Sequence, residues 1–107
     1  MILTGKSKSD FEKWIIKNYN KYSHSFHKGE LSIFYDLTPQ MTNGLIIEFF
    51  DSVNIPIYTE PYYYKNNLYF KQYILGHSNI SDQNTYLNRN SATLDAIKRA
   101  NEIYNNK

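Results

Sequence analysis

IPIYTEPYYYKNNLYFKQYIL, Ile55 to Leu75, holds six of the eleven tyrosines in a chain of 107 residues, and its reading decides the fold. Ile55 to Tyr64 and Leu68 to Leu75 are rich in β-branched and aromatic residues and flank the polar connection Lys65-Asn66-Asn67. That pattern predicts a hairpin of two antiparallel strands. Alternation puts Leu68, Phe70 and Ile74 on one face and Tyr69, Lys71, Tyr73 and Leu75 on the other, while in the first strand Ile55 and Ile57 oppose Tyr58 and Tyr62. The hairpin thus has an aliphatic face and a tyrosine face. Pro56 and Pro61 cannot donate to a ladder, which makes the first strand an edge or an interrupted one. A two-stranded hairpin is marginal alone, so helices must pack on it, or a third strand or a second copy must extend it.

Helical patterns lie on both sides. The first runs from Gly5 or Ser9 to about Asn20, with Thr4 able to cap the earlier start and Ser9 with Glu12 at capping-box spacing for the later one. Phe11, Trp14, Ile15 and Tyr19, with Tyr22 beyond, form its apolar face, and Lys13, Lys17 and Lys21 a separate basic line. Thr38-Pro39 is a helix start, threonine at the cap and proline at the first helical position. The helix that follows extends to about Val53, with Met41, Leu45, Phe49 and Val53 at four-residue steps and Ile46 and Phe50 broadening the stripe, and Asn54 stops it in a left-handed conformation. A last helix runs from Arg89 or Ser91 to Tyr104, with Leu94, Ile97, Ala100 or Asn101, and Tyr104 inward, and Lys98-Arg99 exposed. Ser23 to Asp36 reads as a loop with a short strand at Leu31 to Tyr35, and Gly76 to Leu87 as a polar loop. The expectation is a single α+β domain, residues 1–107, with three helices packed on a small antiparallel hairpin sheet in the order α-(β)-α-β-β-α.

Composition narrows the function classes. Hydrophobic residues at 41% and charged residues at 21% are near globular norms and argue against wholesale disorder. With no cysteine there is no disulfide framework, thiolate metal site or cysteine nucleophile. The longest apolar runs, such as Leu45 to Ile47, are too short to span a bilayer and the N-terminus lacks the apolar stretch of a signal peptide, so a cytoplasmic protein without a membrane partner is expected. Net charge is uneven: +4 over residues 1–28, −5 over 29–60 and +3 over 61–107. That asymmetry either orients a partner or is neutralised between elements within the fold.

The tyrosine face is the candidate site. Tyrosines bury apolar area yet need a partner for each hydroxyl, and so many exceed what a small core absorbs. Tyr58, Tyr62, Tyr69, Lys71 and Tyr73 are the residues expected to contact a protein partner. The alternative is single-stranded nucleic acid, with bases stacked on the same rings and phosphates on Lys13, Lys17 and Lys21. The structural possibility is that helices cover this face. Two arginines, a net charge of +2 and no nucleic-acid motif favour protein. His24, His27 and Glu30 are of metal-ligating type, but Gly29 and the serines oppose the regular helix that would join the two rings, so no metal is expected. Glu48 and Asp51 read as solvated helix charges. With no phosphate-binding glycine loop, GxSxG, HExxH or CxxC, neither an enzyme nor a cofactor is expected.

LTGKSKSDFEKW (Leu3 to Trp14), FFDSVNI (Phe49 to Ile55) and AIKRANEIYN (Ala96 to Asn105) resemble motifs of small uncharacterised proteins of tailed bacteriophages. Asn54 departs from the glycine such proteins often carry there, and the tyrosine-rich hairpin is not fixed by the resemblance. Asn, Ile, Lys and Tyr, with AT-rich codons, supply 46 of the 107 residues, consistent with such an origin. The resemblance implies a phage accessory protein in the cytoplasm of an infected bacterial host, binding a host or phage protein, with inhibition of host defence a common role among such proteins. It brings no catalytic residue. A homodimer through the hairpin edge is a further expectation.

Overall fold

The hairpin forms from the stretch that predicts it. The computed structural model describes residues 2–19, 37–76 and 86–107; in it β1 (Ile57–Tyr64) pairs antiparallel with β2 (Asn67–Ile74), Tyr58 opposite Tyr73, Glu60 opposite Lys71 and Tyr62 opposite Tyr69. Only Lys65 and Asn66 connect the strands, with φ of 50° and 66°. Two central residues at positive φ make a type I′ turn, whose twist matches that of the strands. Asn67 is therefore the first residue of β2 rather than part of the connection.

Pro61 stands inside β1 without interrupting it. Its partner Phe70 turns its own N–H and C=O to the other side, where they exchange hydrogen bonds with Tyr86 at 2.9 and 3.0 Å. A pair that bonds outward needs no proline N–H. Tyr86 is thus a one-residue extension of the sheet beside β2.

Three helices complete the described fold: α1 (Gly5–Tyr19), α2 (Pro39–Ser52) and α3 (Arg89–Asn105). Thr38 caps α2, its hydroxyl accepting from the Met41 N–H at 3.3 Å with Pro39 next, and Asn88 caps α3 by accepting from the Ser91 N–H at 2.8 Å. Asn54, at φ 64°, turns the chain out of α2 toward β1. The architecture is α+β in the order α-α-β-β-α. His24, His27, Glu30, Lys21, Tyr22, the strand expected at Leu31 to Tyr35 and His77 lie outside the described residues.

Leu3, Phe11, Ile15, Ile46, Phe49, Phe50, Ile55, Ile57, Ile74 and Ile97 form one core with the alanines of α3. Its centre is aromatic: Phe49 meets Phe11 at 5.5 Å, Trp14 at 5.8 Å and Tyr104 at 5.7 Å between ring centroids. Edge-on and tilted contacts of this kind add about 0.5–1.5 kcal/mol each to the area they bury. Met41 departs from the expected stripe and is 54% exposed. A four-residue step overshoots a helical turn by about 40°, so the line from Met41 to Val53 winds around α2 and only its later members reach the core.

Residues at the start of α1 and the end of α3 are clasped by two asparagines. Asn101 Oδ1 accepts from the Thr4 N–H at 3.0 Å while its Nδ2 donates to Thr4 Oγ1 at 3.0 Å. Asn105 Oδ1 accepts from the Ser7 N–H at 2.7 Å and its Nδ2 donates to the Thr4 carbonyl at 2.9 Å. The sequence offers Thr4 as cap of α1; here its hydroxyl is engaged by Asn101, and a side chain of another helix receives a first-turn N–H. Gly5, at φ 58°, makes the entry, and a Cβ there would press on Asn105 at 3.4 Å.

Candidate functional site

The pleat of the hairpin sorts its side chains into two unlike faces. Ile57, Gln72 and Ile74 are buried on the face toward α3. Gln72 is tied to that helix: its Oε1 accepts from Arg99 at 2.6 Å, and its Nε2 donates to Asp95 Oδ2 at 3.4 Å. The Tyr86 hydroxyl donates to the same Asp95 oxygen. Arg99, expected outside, is half-buried because its guanidinium reaches this polar seam.

The opposite face carries Tyr58, Glu60, Tyr62 and Tyr64 from β1, and Tyr73, Lys71, Tyr69 and Asn67 from β2. All five residues expected at a protein contact therefore share one surface, on the side of the sheet away from α3. They form a ladder. Tyr58 and Tyr73 lie 5.1 Å apart between ring centroids and Tyr62 and Tyr69 5.9 Å, both pairs tilted. Lys71 sits between the pairs, its Nζ 5.4 Å from the Tyr62 ring centre and 5.6 Å from that of Tyr73. The adjoining Tyr73 hydroxyl, with a smaller contribution from Glu60, holds the Lys71 ammonium above its ordinary pKa. Glu60 directly across the strands balances that charge. Cross-strand ring pairs and the cation between them favour a single arrangement of the ladder.

The far end of the hairpin outruns the helices. Tyr63 and Leu68 lie on the helix side of the sheet, yet Tyr63 is 76% exposed and Leu68 45%. Tyr64, beside the turn, is exposed as well, with Lys65 Nζ 5.3 Å from its ring centre. The sequence pattern does not mark Tyr63, Tyr64 and Leu68 as contact residues. Alternation assigns Tyr63 and Leu68 to the buried face, and only the reach of the helices decides that the tip stands clear.

Lys13 and Lys17 are exposed on α1, which packs on α2 and α3, whereas the hairpin packs mainly on α3, with β1 also touching α2. The lysine row and the tyrosine ladder thus belong to different layers of the fold. Glu48 and Asp51 are both exposed on α2. Among the described residues no group of three or more His, Asp or Glu side chains could hold a metal ion, and no helix is long and apolar enough to cross a membrane. No family profile, curated protein or solved structure matches the chain significantly. Leu3 to Trp14, Phe49 to Ile55 and Ala96 to Asn105 meet one another in the fold: Phe11 and Trp14 pack on Phe49, Phe49 and Phe50 on Tyr104, and Thr4 bonds Asn101. They build the core and the clasp, while the ladder lies outside all three.

Proposed function

We propose that the chain is a non-enzymatic protein-binding module whose contact surface is the tyrosine ladder, Tyr58, Tyr62, Tyr69, Lys71 and Tyr73, continued at the tip by Tyr63, Tyr64 and Leu68. The observation that supports this reading is the row of half-exposed rings on the side of the hairpin away from α3, paired across the strands. Tyrosines bring large apolar area with few rotamers to lose, which is what interface anchors require. Glu60 opposite Lys71 leaves the ladder electrically balanced, which suits a protein better than a polyphosphate backbone. The phage resemblance and the AT-rich composition extend the reading to an accessory protein in the cytoplasm of an infected bacterium. There it would occupy a host or phage protein stoichiometrically, a defence protein among the targets.

The test is affinity capture from nuclease-treated bacterial lysate with the wild-type chain and the Tyr69→Ala/Tyr73→Ala variant. The expected outcome is one stoichiometric protein retained by the wild type and lost by a variant that remains folded by circular dichroism. Because the two rings also support the hairpin, a Tyr63→Ser/Tyr64→Ser variant, which leaves both ring pairs in place, should weaken capture as well. Undiminished capture by both folded variants would refute this choice of surface. The nucleic-acid alternative, with Lys13, Lys17 and Lys21 joining the same rings, predicts instead that recovery vanishes with nuclease and binding falls steeply with salt.

A further inference from the structure

Between α2 and α3, where both helices begin, lies a cleft of about 340 Å³. Gln40, Asn43, Gly44 and Ile47 line it from α2 at positions i, i+3, i+4 and i+7, a single helical face. Arg89 and Asn90 line it from the first turn of α3, with Thr93 one turn on. We propose that this cleft binds a small organic anion: a compact apolar body over Gly44 and Ile47, carrying a carboxylate or phosphate group at the helix starts beside Arg89.

Asn43 is the first reason. It is only 8% exposed, yet its side-chain amide has no hydrogen-bond partner among the described residues. Its amide atoms are not sealed from solvent, because among the described residues the buried side-chain atom without a partner is Ser7 Oγ, so the Asn43 amide opens into the cleft it lines. A polar ligand atom there would take the place of solvent at that amide.

Gly44 is the second. A glycine inside a helix weakens it, and such a position is usually explained by a close neighbour or an unusual backbone. Neither applies: Gly44 has helical backbone, and a Cβ built on it would meet nothing within 4 Å. What the missing side chain does is keep the floor of the cleft open.

Charge is the third. Neither α2 nor α3 has an acidic residue in its first turn, and the caps Thr38 and Asn88 each accept from only one first-turn N–H. Residues near the starts of both helices line the cleft, so the positive ends of two helices lie near it, which favours an anion. Arg89 lines the cleft while the hairpin steadies its guanidinium, which donates to Thr59 Oγ1 at 3.3 Å and lies 5.1 Å from the centre of the Phe70 ring. A guanidinium has five N–H donors, so others remain for a ligand.

Amide-resolved NMR titration of the full chain with benzoate, phenyl phosphate and the neutral benzyl alcohol tests the proposal. Saturable shifts at the Gly44 and Asn90 N–H groups and the Asn43 side-chain amide are expected with at least one anion. Benzyl alcohol should bind at least about tenfold more weakly, and Arg89→Gln should cost the anion about tenfold, as for one charge-assisted hydrogen bond. The stronger of the two anions identifies the charged group. Gly44→Leu fills the floor with a good helix former at an exposed position, so it should abolish binding while leaving the melting temperature equal or higher. The proposal is overturned if neither anion saturates below about 10 mM, the weak end of specific affinity. It also fails if benzyl alcohol binds equally well or Gly44→Leu binds unchanged.

Discussion

Tyr104 connects the core to the surface through one hydroxyl. Its ring packs on Phe49 and Phe50, while its hydroxyl donates to Asp10 Oδ2 at 2.6 Å and Lys6 Nζ lies 4.7 Å from the ring centre. The Tyr104 hydroxyl lowers the Asp10 pKa below its ordinary value and Lys6 adds to this, with burial opposing; the same bond raises the pKa of Tyr104. A carboxylate whose pKa is lower folded than unfolded stabilises the fold above its unfolded pKa, and that stability disappears as pH falls through the folded value. For a tyrosine with a raised pKa, the contribution is present below the unfolded pKa and lost as pH rises through the folded one. Tyr104→Phe should therefore be less stable than wild type between about pH 5 and 9, with the gap closing below about pH 4 and again above about pH 10. Urea melts across that range decide it, and a gap independent of pH would refute this origin. Arg99 carries the matching lesson at the same scale. Helical periodicity places it outward, and only Gln72, 27 residues earlier in the chain, draws it into the seam.

At the scale of elements, the legible parts were those whose signal is local. Thr38-Pro39 marks the start of α2, Asn54 its end, and alternating residues the two faces of the hairpin, because each rests on neighbouring residues alone. The inward face of α2 was less legible, since a stripe at four-residue steps does not stay on one side and burial depends on what packs against it. Three polar residues in sequence do not reveal which of them pair, and Asn67 joins β2 rather than the turn. Its conformation leads to a prediction. Lys65 at φ 50° is a poor occupant of a left-handed position, whereas Asn66 at φ 66° is a tolerable one. Lys65→Asn with Asn66→Gly installs the pair that type I′ turns prefer and should stabilise the fold by about 1 kcal/mol. It should also slow hydrogen exchange at the Tyr62 and Tyr69 amides. A loss of stability would mean that the turn does not set the register.

The whole molecule is closed by the asparagine clasp, and this was the least legible feature. Thr4 and Asn101 are 97 positions apart, Ser7 and Asn105 98, and nothing near either end of those pairs announces the other. Asparagine at those positions reads as neutral helix surface. In three dimensions the two amides receive backbone N–H groups at the start of α1 that no intrahelical acceptor reaches, so α1 depends on α3 for its own start. Capping side chains are typically worth about 1 kcal/mol and up to about 2. Asn105→Ala and Asn101→Ala should each cost about 1–2 kcal/mol, seen as a lower urea midpoint at unchanged slope. The two amides also touch each other, Asn105 Nδ2 lying 3.4 Å from Asn101 Oδ1, and they share Thr4. The double variant should consequently lose less than the sum of the single losses. Hydrogen exchange separates this from general weakening. The Ser7 amide should lose more protection in Asn105→Ala than the Ile46 amide in the middle of α2, because its acceptor has gone while the core of α2 is untouched. Equal loss at both sites would show that α1 holds its first turn without α3. The clasp would then be a consequence of the packing rather than a cause of it.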